Sequence, residues 1–115
     1  EQVRYAGLPS HPQHETARRI VPAAEDGAML NFELADCEKE KAFRFLDALR
    51  LILPATTLGD VYSLIVNPAR TTHHWLSDEE LAAVGIGAGT FRMSVGIEKV
   101  EDLKEDLDQA LTACQ

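Results

Sequence analysis

The first candidate for chemistry lies near the C-terminus, where Phe91, Met93 and Val95 alternate with Arg92, Ser94 and Gly96. A strand with this period buries one face and aims an arginine from the other. A planar guanidinium can grip a carboxylate through two parallel hydrogen bonds, worth roughly 1.5–3 kcal/mol for a charged pair, and a strand holds it more rigidly than a loop. From spacing alone, a surface arginine paired with Glu33 or Glu98 accounts for the residue more simply. The remaining reactive side chains point to less. His11 and His14 are three apart and His73 and His74 are adjacent, but zinc needs a third or fourth ligand in fixed geometry, and neighbours on a strand point apart. Cys37 and Cys114 follow no metal or redox spacing and read as free thiols in a reducing cytosol. No serine sits in a nucleophile elbow. The run Gly85-Ile86-Gly87-Ala88-Gly89 joins a helix to a strand, the wrong order for cradling phosphate.

These side chains need elements to position them. Residues 1 to 12, with Gly7, Pro9 and Pro12, carry turn and loop chemistry. Pro12 suits the first turn of a helix running to about Val21. Met29, Asn31 and Glu33 alternate with Leu30, Phe32 and Leu34 as in a half-buried strand. From Asp36, an N-cap candidate, to Arg50, the chain reads as an amphipathic helix with Ala42, Phe45, Leu46 and Leu49 at helical spacing. Short strands follow, one ended by Pro54 and one by Asn67-Pro68. Ser77 opens a helix with Glu80 completing a capping box, and Gly85 stops it. The last helix sets Val100, Leu103, Leu107, Ala110 and Leu111 on one stripe and acids on the other. Four strands interleaved with four helices predict an α/β (α+β) fold: a mostly antiparallel four-stranded sheet with helices packed on one face.

The chain's 115 residues make one domain that can bury roughly two-thirds of its unfolded surface. Nineteen Asp and Glu against 11 Lys and Arg leave a net charge of -8, which argues against nucleic acid or anionic lipid as partner. No stretch approaches the roughly 20 apolar residues of a membrane span, and no signal peptide is visible. The start at Glu1, without an initiator Met, suggests a cleavage product or a piece of a longer polypeptide.

Three segments, "SHPQHE" at 10 to 15, "TLGDVYSLIVNPARTTH" at 57 to 73 and "FRMSVGIEKVEDLKEDLDQAL" at 91 to 111, resemble the C-terminal domain of the Cys/Met-metabolism enzymes that depend on pyridoxal phosphate (PLP). That group includes methionine gamma-lyase, cystathionine synthases and lyases, and O-acetylhomoserine sulfhydrylase. The resemblance implies that Arg92 binds the α-carboxylate of an amino-acid substrate. It implies that Thr57, where the family usually has serine, lies near that carboxylate, and that Leu58 and Gly59 line the active site. His73 matches a recurrent position and is expected to be structural or to line the entrance. Ala6 departs from the family's frequent proline in the turn.

The resemblance also implies what lies elsewhere. The lysine that anchors PLP, the aspartate on its ring nitrogen and the phosphate-binding residues belong to a preceding large domain, and none of Lys39, Lys41, Lys99 and Lys104 lies in a Ser-x-Thr-Lys context. Residues 1–115 are therefore expected to be the single small C-terminal domain of such an enzyme. Catalytic, metal-binding and cofactor-holding residues are expected to be absent from it, and the isolated chain to be inactive. Its expected partners are its own N-terminal PLP domain and an amino-acid substrate, in a cytoplasmic homotetramer. The implied reaction is γ-elimination or γ-replacement, of the methionine gamma-lyase or O-acetylhomoserine sulfhydrylase type. The alternative is a stand-alone regulatory module that captures a small carboxylate.

Overall fold

A computed structural model of the chain describes residues 2–21, 27–57 and 59–114. The strands are β1 (Gln2–Arg4), β2 (Met29–Glu33), β3 (Leu53–Pro54), β4 (Leu64–Val66) and β5 (Thr90–Ser94). The helices are α1 (His14–Ile20), α2 (Lys39–Ala48), α3 (Asp78–Ala83) and α4 (Val100–Ala113), with a 3-10 turn at Pro68–Arg70. The strands form one sheet in the order β1-β2-β5-β4-β3, antiparallel throughout except for the parallel pair β3 and β4. The expected mostly antiparallel sheet is thus observed with five strands rather than four. The added strand, β1, lies where loop was expected, because three residues on a sheet edge are too few to display a period. Among the described residues no helix is long and apolar enough to cross a membrane.

The alternation in β2 and β5 decides which face is which. Phe32 stands opposite Phe91 and Leu30 opposite Met93, while Ile65 of β4 adjoins Met93 on its other side. These side chains meet Phe45 of α2 and Leu103 and Ala110 of α4 in the core. Phe91 is its centre: its ring stacks on Phe32 at 5.4 Å and meets Phe45 edge-on at 4.9 Å. Two further helix features obey the sequence signals. The Ser77 hydroxyl accepts from the Glu80 amide while the Glu80 carboxylate accepts from the Ser77 amide, and Gly85 ends α3 at φ +75°, a conformation glycine adopts without a Cβ penalty.

Elsewhere the boundaries differ. The first helix begins at His14, not Pro12. Glu38, not Asp36, is the N-cap of α2, and Asp36 instead takes φ +47° in the approach to it. The expected solvated acidic face of α4 is also interrupted, because Asp106 is buried. Its carboxylate accepts from the backbone N–H groups of Arg50, Leu51 and Ile52 at 2.8–2.9 Å and from the Gln109 side chain. One carboxylate on α4 thereby holds the turn that leads from α2 into β3. Asp106 follows the same helical spacing as the exposed acids of α4, so nothing in the period distinguishes it.

Burial would raise the Asp106 pKa, but the N–H groups of Ile52, Arg50 and Leu51 outweigh it and hold the carboxyl below its ordinary range. A carboxylate depressed in the folded state contributes stability above its unfolded pKa of about 3.9, and that contribution is lost as pH falls through the lower folded value. Asp106→Asn is expected to cost roughly 2 kcal/mol in urea unfolding at neutral pH. The cost relative to the parent should shrink as the parent itself is titrated below about pH 4.

Candidate functional site

The face of the sheet opposite the Phe91 core is set by the same register. Arg4 of β1 pairs with Asn31 of β2, Asn31 with Arg92 of β5, and Arg92 with Val66 of β4. Four side chains therefore form a row across the sheet, in which Arg92 occupies the central strand. A cavity of about 260 Å³ opens over this row, with Arg4, Asn31, Glu33, His73, Thr90 and Arg92 among its lining. Its far wall comes from the 3-10 turn and from the residues that follow α3, through Pro68 and Val84 to Ile86.

The wall is built by local hydrogen bonding. Asn67 is buried and caps the 3-10 turn, its side-chain oxygen accepting from the Arg70 amide while its Nδ2 donates to the Ala88 carbonyl. The His73 amide donates to the Pro68 carbonyl, which brings the ring to the cavity. That ring is stacked 6.0 Å from Trp75, and its Nδ1 lies 2.9 Å from the Thr72 hydroxyl.

Within the cavity, the Nε of Arg92 is buried and has no hydrogen-bond partner. Among the described residues the guanidinium forms no ion pair either, so the simple pairing with Glu33 or Glu98 is not made. Glu98 is committed elsewhere: its carboxylate accepts from the Ser63 amide at 2.7 Å and from the Ser63 hydroxyl at 2.8 Å. That amide is the main cause holding the Glu98 carboxyl below its usual range. A buried N–H without a partner costs about 1–3 kcal/mol, so the Arg92 side chain carries a donor that the described residues leave unsatisfied.

The other sequence candidates separate from Arg92. Thr57 is exposed, Gly59 is exposed at φ +74°, and neither lines the cavity; they lie between β3 and β4. Leu58 lies outside the described residues. The lysines are also elsewhere. Lys41 donates to the Ala35 carbonyl, Lys39 lies over the Phe43 ring, Lys99 caps α4, and Lys104 borders an apolar cavity on the helix face. Cys37 is partly buried, which pushes its thiol pKa up, the opposite of what a nucleophile needs. Among the described residues no three His, Cys, Asp or Glu side chains gather as metal ligands. The residue that the sequence reading missed is Arg4: it sits in a three-residue strand whose existence carried no periodic signal.

The geometry also explains why Arg92 is followed by Ser-Val-Gly-Ile-Glu. A Cβ on Gly96 would run into the Val61 carbonyl oxygen and would come within 2.6 Å of the Tyr62 carbonyl carbon. The Gly96 amide donates to the Ser63 hydroxyl, which itself donates to Glu98. Gly96, Ser63 and Glu98 thus lock the chain just after β5 to the segment entering β4, four to six residues beyond Arg92.

Comparison with known proteins is consistent across sequence and structure. Residues 1–112 match the model of the Cys/Met metabolism PLP-dependent enzyme family. The chain is 45% identical over 113 residues to O-succinylhomoserine sulfhydrylase of Pseudomonas aeruginosa, covering 98% of this chain and 27% of that protein. It is 43% identical over 111 residues to L-methionine gamma-lyase of Fusobacterium nucleatum, covering 96% and 27%. The crystal structure of a cystathionine gamma-lyase from Micromonospora echinospora superposes with a TM-score of 0.87 at 42% identity, over 97% of this chain and 28% of that one. The chain therefore spans little more than a quarter of the length of these proteins.

Gly96→Ala tests the lock. The added methyl meets backbone rather than a movable side chain, so a loss of about 1–3 kcal/mol is expected in denaturant unfolding. A variant as stable as the parent would contradict the close approach.

Proposed function

This chain belongs to the Cys/Met metabolism PLP-dependent enzymes, and we propose that it is the small, C-terminal substrate-binding domain of a complete enzyme of sulfur amino-acid metabolism. The reaction is elimination or replacement at the γ carbon, of the homoserine-ester sulfhydrylase or methionine gamma-lyase type. The names of similar relatives, homoserine-ester sulfhydrylases and a methionine gamma-lyase, support this class. One observation carries the assignment of the site: a buried, unpartnered arginine nitrogen in a cavity on the central strand of the sheet.

Arg92 clamps the α-carboxylate of the incoming amino acid. A guanidinium fixed by strand geometry makes two parallel bonds to that group, and these define the plane of the carboxylate. The directions of the amino group and of the α C–H bond follow from that plane, so a rigid clamp orients the atoms that react. The resemblance to the family assigns Thr57 a hydroxyl near that carboxylate and puts Leu58 and Gly59 at the active site of the complete enzyme, a role for which Thr57 and Gly59 would have to act from outside the Arg92 cavity.

The family's cofactor, PLP, supplies the electron sink of the chemistry. The residues of this chain do not fit its anchoring, because none of the four lysines borders the Arg92 cavity. We assign the cofactor to an N-terminal domain of the same polypeptide, and derive no step of this chain through it.

Replacing Arg92 in the complete enzyme separates binding from cofactor retention. Arg92→Ala is expected to raise KM for the amino acid by about 10–100-fold, with the absorbance of bound PLP unchanged. Arg92→Lys, which keeps the charge but loses the planar fork, should recover only part. Unaltered saturation kinetics in both variants would contradict the role.

A further inference from the structure

The Arg92 cavity contains a second guanidinium. Arg4 lies in the same cross-strand row, with Asn31 between the two arginines, and both line the cavity. Arg4 is held in place at its rim. Its Nε and Nη2 donate to the Gln2 side-chain oxygen at 3.3 and 3.1 Å, and its Nη1 reaches the Gly85 carbonyl at 3.5 Å. A guanidinium carries five N–H donors, so these three bonds leave two of them free for a further acceptor. Among the described residues the only acid in the cavity lining is Glu33, in the neighbouring row between Gln2 and Thr90, and it forms no ion pair with either arginine. Two cations and one anion leave the cavity positive within a chain of net charge -8.

We infer that Arg4 is a specificity-determining residue that reads a second carboxylate, suiting the cavity to an amino acid whose side chain ends in an acid. Two strand spacings of about 4.8 Å separate the Cα atoms of Arg4 and Arg92 by roughly 10 Å. The covalent path between the two carboxylates of an O-succinyl ester of homoserine, with bonds of roughly 1.5 Å, covers that span when extended. Asn31, midway along the row, can bond the ester oxygens. An acetyl ester offers no second charge, so Arg4 contributes nothing specific to it. The inference deepens the assignment of Arg92 as the clamp for the first carboxylate and rests on it.

The test compares kcat/KM of the complete enzyme for O-succinyl-L-homoserine and O-acetyl-L-homoserine. The parent is expected to prefer the succinyl ester, and Arg4→Gln to lower kcat/KM for it about ten-fold more than for the acetyl ester, with Arg4→Lys between. Turnover of the acetyl ester serves as the control for folding. A parent without preference for the succinyl ester, or an Arg4→Gln enzyme that changes both esters alike, overturns the inference. Arg92→Lys reports on the underlying reading separately: it should impair both esters equally, and if it impairs neither, the clamp itself fails whatever Arg4 does.

Discussion

The structure depends on the two-residue period of β5. This strand has neighbours on both sides, so a slip of one residue would carry Phe91 and Met93 out of the core and drive Arg92 into it. The aromatic contacts of Phe91 with Phe32 and Phe45 make that slip costly. The direction of the arginine is therefore a by-product of apolar packing on the opposite face. The register sets the face from which the Arg92 side chain leaves the strand, and its Nε is buried there without a hydrogen-bond partner.

Acidic side chains do the complementary work. Asp106 gathers three backbone N–H groups at the start of β3, and Glu98 gathers the amide and hydroxyl of Ser63 before β4. Both carboxylates bind where the chain leaves regular structure, satisfying donors that no ladder reaches. With these acids spent on backbone, the cationic character of the Arg92 cavity is not cancelled by the chain's overall negative charge. The cavity's wall, anchored by the buried Asn67, brings His73 and its stacked Trp75 to the edge of the same space.

Much of this is legible in the sequence where a period or a cap speaks for itself. The alternation in 29–34 and 91–95, the Ser77–Glu80 box and the Gly85 stop all appear as written. What escapes is what depends on partners distant in the chain. The burial of Asp106 is decided by a turn more than fifty residues away, and helical spacing treats it as one more acid on a solvated face. The edge strand β1 forms because β2 offers a free ladder, not because three residues favour extension. Arg4 was missed for that reason. Arg92 was found by its period, but its clamp role came from likeness to a family, since spacing alone favoured Glu33 or Glu98 as its partner. The amide and hydroxyl of Ser63 remove Glu98 from that contest by binding its carboxylate.

The most direct measurement is a crystal structure of the complete polypeptide with a bound, unreactive amino-acid analogue of its substrate. The account requires the analogue's α-carboxylate to lie about 2.7–2.9 Å from nitrogens of the Arg92 guanidinium, on the side of the sheet opposite Phe91. A carboxylate held by other residues, with Arg92 turned onto Glu33 or shut beneath the wall formed by the 3-10 turn and the residues after α3, would contradict it.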